Sequence, residues 1–220
     1  MLAGAGRVRG EPYYTASMRA LVAALVAALL VVSPAPAAER VIVAFGDSLT
    51  AGLGVTPEES YPARLQARLR AEGYAYRVVN AGSSGDTTAG GLRRVDWALK
   101  NKPEIVIVAL GANDALRAQN LASVRQNLDA IVTRFQKAGA RVLLAGMEVP
   151  PNYGAQYAAD FRKVYAEVAR KRGVAFMPFL LDGVAGQPSL NQADGIHPTA
   201  EGYAIVVDHL WPYLQPLLSH

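Results

Sequence analysis

Cysteine is absent from this 220-residue chain, and histidine occurs only three times. Without a thiol there is no disulfide, no thiolate nucleophile, no cysteine-based zinc site and no lipid-modified cysteine at an export junction. Charge is sparse and nearly balanced, 22 basic against 18 acidic residues for a formal +4. That is too little to imply a nucleic acid or an anionic membrane as partner. Neither His-Glu-x-x-His nor a Walker loop occurs, and Gly52-Leu53-Gly54 leads to Pro57 instead of a third glycine, which argues against the corresponding metal and nucleotide motifs. Long hydrophobic runs are missing too. The apolar stretch Ala20–Val32 has 13 residues, where a membrane-spanning helix needs roughly twenty.

That stretch follows Arg19 and precedes Ser33-Pro34-Ala35-Pro36-Ala37-Ala38, the basic, apolar and small-residue succession of an export signal. The expected organisation is a signal peptide over residues 1–37, with Met18 as an alternative start, and a single domain over residues 38–220. Its removal takes Arg7, Arg9 and Arg19 against Glu11, lowering the formal charge from +4 to +2. A periplasmic or secreted monomer without a stable membrane anchor fits this composition.

Past residue 38 no repeat or linker divides the chain. Short Val-, Ile- and Leu-rich runs predict strands at Val41–Phe45, Arg77–Asn80, Ile105–Leu110, Val142–Gly146 and Val174–Met177. They are continuous, as strands buried on both faces should be. Amphipathic stretches predict helices at Tyr61–Glu72, Thr88–Lys100, Leu121–Ala138, Gln156–Arg172 and Thr199–Leu218, with Trp97 and Trp211 packing into the core. Ser60 is placed to cap the first of these, Gly139 and Gly173 to close helices, and Pro198 to open the last. Strict alternation implies an α/β fold in which helices cover both faces of a five-stranded parallel sheet, a flavodoxin-like three-layer architecture.

In such a sheet a ligand site lies outside the carboxyl ends of the strands. Four polar segments fall there: Gly46-Asp47-Ser48, Gly82-Ser83-Ser84-Gly85-Asp86-Thr87, Gly111-Ala112-Asn113-Asp114 and Asp194-Gly195-Ile196-His197-Pro198. A serine hydroxyl attacks a carbonyl only when a base takes its proton, and the base works best when a carboxylate fixes its tautomer. Ser48, His197 and Asp194 can fill these roles. Gly195 permits a sharp turn and Pro198 biases His197 away from helix, so the Asp194 and His197 side chains can meet. The Ser48 and Gly85 backbone N–H groups and the Asn113 amide can serve a tetrahedral oxyanion. Each residue also has a plainer reading. Asp47-Ser48 can be a helix cap, Asp194 a turn carboxylate, Gly85 a turn glycine, and Asn113 a cap.

Taken together, in order and spacing, the four segments resemble those of the SGNH, or GDSL, hydrolases. The likeness is strongest to the bacterial secreted thioesterase I, lysophospholipase and arylesterase branch, because Val79-Asn80-Ala81-Gly82 and Pro151-Asn152-Tyr153-Gly154 also look like it. Thr50 and Ala112 stand where relatives often carry serine and glycine. The resemblance implies Ser48 as nucleophile, His197 as base, Asp194 as its orienter, and Ser48, Gly85 and Asn113 as the oxyanion hole. It implies hydrolysis of a small-molecule acyl ester or thioester without metal or cofactor. Leu116, Val149, Pro150 and Tyr153 are candidates for an acyl pocket, or else loop residues packing on helices. A carbohydrate acetylesterase with the same constellation, or a non-catalytic flavodoxin-like module cradling a phosphate or flavin, are the rival expectations.

Overall fold

The computed structural model describes residues 40–149 and 151–219, together with positions 1, 4 and 6. The expected signal segment and Pro150 lie outside the described residues, Met1, Gly4 and Gly6 apart. Strands β1 (Arg40–Gly46), β2 (Tyr76–Gly82), β3 (Ile105–Ala109), β4 (Arg141–Ala145) and β5 (Ala175–Met177) form one parallel sheet in the order β2-β1-β3-β4-β5. This is the doubly wound order with its switch point between β1 and β3. Its helices are α1 (Ser48–Ala51), α2 (Tyr61–Ala71), α3 (Thr88–Leu99), α4 (Ala112–Leu116), α5 (Leu121–Lys137), α6 (Ala155–Arg172) and α7 (Ala200–Leu214).

The main helices divide into two packed groups, α2 with α7 and α3 with α5 and α6. Each turns an apolar stripe toward the sheet. In α5 the buried residues are Val124, Leu128, Ile131, Val132 and Phe135, the three-and-four spacing of one helical face. Phe135 meets Phe45 of β1 edge to face, with ring centroids 5.2 Å apart. Strands β1, β3 and β4 are buried almost throughout. Each Leu, Ile or Val withdrawn from water contributes about 1.5–3 kcal/mol.

Four details depart from the sequence reading. β2 is an edge strand with Arg77 and Asn80 exposed, so it is not a continuous buried run. Trp97 is 52% exposed, whereas Trp211 is buried; α3 turns Val95 and Ala98 inward and leaves Trp97 outside. Ser60 sits at the start of α2, but its hydroxyl donates to the Pro57 carbonyl instead of capping the helix. Pro198 precedes α7 and pairs with Asn191 in an isolated bridge, while the Thr199 hydroxyl caps the helix at the Gly202 N–H.

Register sets the position of the site. Gly46, the last residue of β1, lies opposite Gly82 on one side and Ala109 on the other. The segments leaving these three strands therefore emerge side by side.

Candidate active site

Asp47 and Ser48 open the four-residue helix α1. The Asp47 side chain caps it, accepting from the Leu49 N–H at 3.1 Å. The capping reading thus belongs to Asp47, and the Ser48 hydroxyl is left to face His197, with Oγ 2.9 Å from Nε2. On the other side of the ring, His197 Nδ1 is 2.6 Å from Asp194 Oδ2. An ionised carboxylate only accepts, so Nδ1 carries the proton and Nε2 presents a lone pair to Ser48.

The Asp194–His197 loop is built locally. Gly195 takes a φ of 73°, and Asp194 Oδ1 accepts from the backbone N–H groups of Ile196 and His197, both at 3.0 Å. Asp194 is therefore a turn carboxylate and a histidine partner at once. The bond from the His197 side chain, helped by those two N–H groups, holds its carboxyl down at about 2, so it stays ionised across any ordinary working pH.

Gln192, which sequence reasoning missed, fastens this loop to the serine segment. Its Nε2 donates to the Leu53 carbonyl at 2.7 Å and to the Pro198 carbonyl at 2.9 Å, and its N–H donates to the His197 carbonyl at 2.7 Å. Nothing local in the sequence marks it, because Leu53 is 139 positions away.

Asn113 is the second residue of α4 and not its cap, which is Gly111. Its Nδ2 reaches Asp47 Oδ2 at 3.4 Å, bringing the amide beside the serine segment. Asp114 anchors this short helix. It is buried and accepts from the Thr88 N–H at 2.8 Å and the Thr88 hydroxyl at 2.7 Å, tying α4 to the first turn of α3. Gly85 is exposed and has a φ of 79°, a conformation that favours glycine. The structure thus gathers the segments of Ser48, Gly85, Asn113, Asp194 and His197 at one sheet edge. Of the pocket candidates, Leu116 is 42% exposed and its carbonyl accepts from the Tyr153 hydroxyl at 3.2 Å, whereas Val149 is buried.

Asp47 is wholly buried. Burial pushes its carboxyl up to about 6, against the Leu49 N–H and the His197 ring, which pull it down. The folded protein therefore holds this proton more tightly than an unfolded chain, where the value is 3.8. Its contribution to stability is complete below the unfolded value and declines as pH rises through about 6. Asp47→Asn is expected to remove that decline. The drop in Tm from about pH 4 to about pH 8 should be smaller in the variant than in the wild type, and equal drops would refute the assignment.

The whole-chain comparisons fit this geometry. Residues 44–205 match the model of the GDSL-like lipase/acylhydrolase family. The chain belongs to that family. It is 44% identical over 202 residues to the esterase TesA of Pseudomonas aeruginosa, covering 91% of this chain and 100% of that protein. It is 35% identical over 185 residues to thioesterase 1/protease 1/lysophospholipase L1 of Escherichia coli, covering 84% of this chain and 88% of that one. A crystal structure of the psychrotrophic esterase EstA from Pseudoalteromonas, inhibited by monoethylphosphonate, superposes with a TM-score of 0.76 at 32% identity, covering 80% of this chain and 97% of EstA. The GDSL-like chain is accordingly an ester-bond hydrolase of the esterase and thioesterase type. Among its described residues no helix is long and apolar enough to cross a membrane.

Proposed function

We propose that this hydrolase cleaves acyl esters and thioesters through an acyl-enzyme on Ser48. The observation that carries the reading is the continuous relay from Ser48 Oγ to His197 Nε2 at 2.9 Å and from His197 Nδ1 to Asp194 at 2.6 Å. As Ser48 Oγ bonds to the substrate carbonyl carbon, its proton passes to His197 Nε2, and the ionised Asp194 stabilises the imidazolium. The carbonyl oxygen becomes an oxyanion facing the N–H groups of Ser48 and Gly85 and the Asn113 amide. His197 then returns the proton to the departing alcohol or thiol, and water repeats the sequence to release the acid. Phosphonate inhibition of the relative EstA supports a nucleophilic serine here. Leu116, Val149 and Tyr153 are proposed to flank the acyl chain. Residues 1–37 are proposed as a cleaved export signal, which places residues 38–220 in the periplasm or outside the cell; the amino-terminal sequence of exported protein checks this.

A panel of short and long acyl aryl esters, acyl-CoA, lysophospholipid and acetylated sugars tests the substrate class. Turnover of the acyl esters or thioesters is expected. Turnover of acetylated sugars alone would replace this reading with an acetylesterase, and a folded protein with no turnover and no labelling by an organophosphonate would overturn it.

The oxyanion role predicts a particular kinetic signature. A donor that bonds more strongly to the developing charge than to the ground-state carbonyl acts on kcat and not on KM. Asn113→Ala is expected to lower kcat by roughly a hundred- to a thousand-fold, with phosphonate labelling slowed but not abolished. Asn113→Asp should be at least as damaging, because a carboxylate donates nothing and would face the Asp47 carboxyl. A near-normal kcat in Asn113→Asp would eliminate the role.

A further inference from the structure

We propose that Arg94 is a positioning residue for catalysis, a clamp that sets the Gly85 N–H against the Ser48 segment. The inference rests on the reading of Ser48 as nucleophile and Gly85 as oxyanion donor. Arg94 is the seventh residue of α3 and is largely enclosed, its side chain 20% exposed. All three guanidinium nitrogens are committed. Nε donates to Asp86 Oδ2 at 2.6 Å, Nη1 to the Ala81 carbonyl at 2.7 Å, and Nη2 to the Gly46 carbonyl at 2.6 Å. The face of the group lies 4.1 Å over the Phe45 ring.

What makes this arrangement more than a buried ion pair is where its acceptors stand. Gly46 ends β1 and precedes Asp47 and Ser48; Asp86 follows Gly85 directly. One planar group therefore touches two of the three stretches of chain from which the proposed oxyanion donors project, those of Ser48 and Gly85. The sheet cannot do this. Its pairing of β1 with β2 stops at Gly46 and Gly82, and Gly85, exposed beyond that point, is joined back through the Ser83 N–H on the Gly46 carbonyl and the Asp86 N–H on the Ser83 carbonyl. Arg117 also donates to the Gly85 carbonyl, from Nη1 at 3.4 Å and Nη2 at 3.3 Å, from the exposed side, and the enclosed Arg94 fork adds the constraint that reaches the Ser48 segment. Charge-assisted bonds are short and strong, and a lysine ammonium cannot reach three acceptors arrayed in one plane.

Gly90 belongs to the same device. A Cβ built there would lie 1.7 Å from Asp86 Oδ1, so the absence of a side chain leaves the carboxylate room to meet Arg94. Replacing it with alanine evicts the carboxylate while giving α3 a better helix former. The kcat-against-KM split and the pH profile, which a loss of stability alone does not move, separate positioning from stability.

The test uses Arg94→Lys, Asp86→Asn and Gly90→Ala, with Ser48→Ala alongside. Measured are kcat and KM on an aryl ester, the rate of Ser48 phosphonylation, the pH profile and Tm. Loosening one oxyanion donor is expected to lower kcat by about ten- to a hundred-fold in Arg94→Lys, with KM changed by less than about threefold. Phosphonylation should slow in parallel, because the phosphoryl oxygen occupies the same hole. The midpoint of the acid limb of kcat/KM should stay put, because none of Arg94's bonds is to Ser48, His197 or Asp194. Gly90→Ala and Asp86→Asn should show the same pattern more weakly, each with a lowered Tm because the enclosed Arg94 loses its carboxylate partner. Should Arg94→Lys fail to fold, those two variants decide. Losses confined to KM, a shifted acid limb, or kcat kept within about twofold across the folded variants would overturn the proposal. If Ser48→Ala is inactive while those variants keep their kcat, only the clamp falls; if Ser48→Ala stays active, the catalytic reading beneath it falls too.

Discussion

Ser48→Ala is expected to reduce kcat by about 10⁴- to 10⁶-fold and to abolish phosphonate labelling, while Tm stays close to that of the wild type. The hydroxyl carries the covalent step, so no other group inherits its role. Its structural contribution is small by comparison. α1 is capped by Asp47 and closed by Gly52 in the left-handed conformation, and neither bond uses the Ser48 side chain. The variant keeps the Ser48 backbone N–H, so residual binding of substrate is expected to persist with KM little changed. Comparison of kcat, KM and Tm for purified protein checks all three expectations together. Activity retained within about tenfold would remove Ser48 from the mechanism.

The second large effect concerns the pair that serves it. His197→Ala is expected to cost about as much as Ser48→Ala, since the base that takes the proton is gone. Asp194→Asn is expected to cost about 10⁴-fold or less. An amide donates to His197 Nδ1 where a carboxylate accepts, and it favours the tautomer that points a proton at Ser48. The double variant should be far less impaired than the product of the two losses, because Asp194 acts only through His197. Strict additivity across the four proteins would mean that the two work apart. Asp194 also receives the Ile196 and His197 backbone N–H groups. Asp194→Ala should therefore lower stability as well as kcat, whereas Asn, which keeps an acceptor oxygen for the turn, should lower mainly kcat.

Much of the molecule is written locally. The strands stand out because buried parallel strands are continuous apolar runs, and observed boundaries such as Ile105–Ala109 fall within a residue or two of the patterned stretches. Gly173 ends α6 in the left-handed conformation that its place after the helix demanded. The failures are equally physical. Trp97 belongs to an amphipathic helix but sits just outside its buried stripe, a difference of one residue that periodicity does not resolve. α4 spans only five residues, too short for a periodic signal. Ser60 and Pro198 occupy plausible helix-start positions, but the Ser60 hydroxyl donates to the Pro57 carbonyl and the Pro198 carbonyl accepts from Gln192 Nε2.

The sequence by itself determined the alternation of strand and helix, and it marked four glycine-bearing segments as places for chemistry. Turn residues and hydrophobic period act over a few positions, so they can be read in one dimension. It also placed Asp194 within reach of His197, since a three-residue turn fixes their geometry. Only the tertiary structure decided that the Ser48 hydroxyl meets His197 across 149 positions. It alone decided that Asn113 reaches Asp47, that Gln192 holds the histidine loop against Leu53, and that Arg94 joins Gly46 to Asp86. Those contacts depend on strand order and register, which the packing of the whole sheet settles and no short stretch of residues contains.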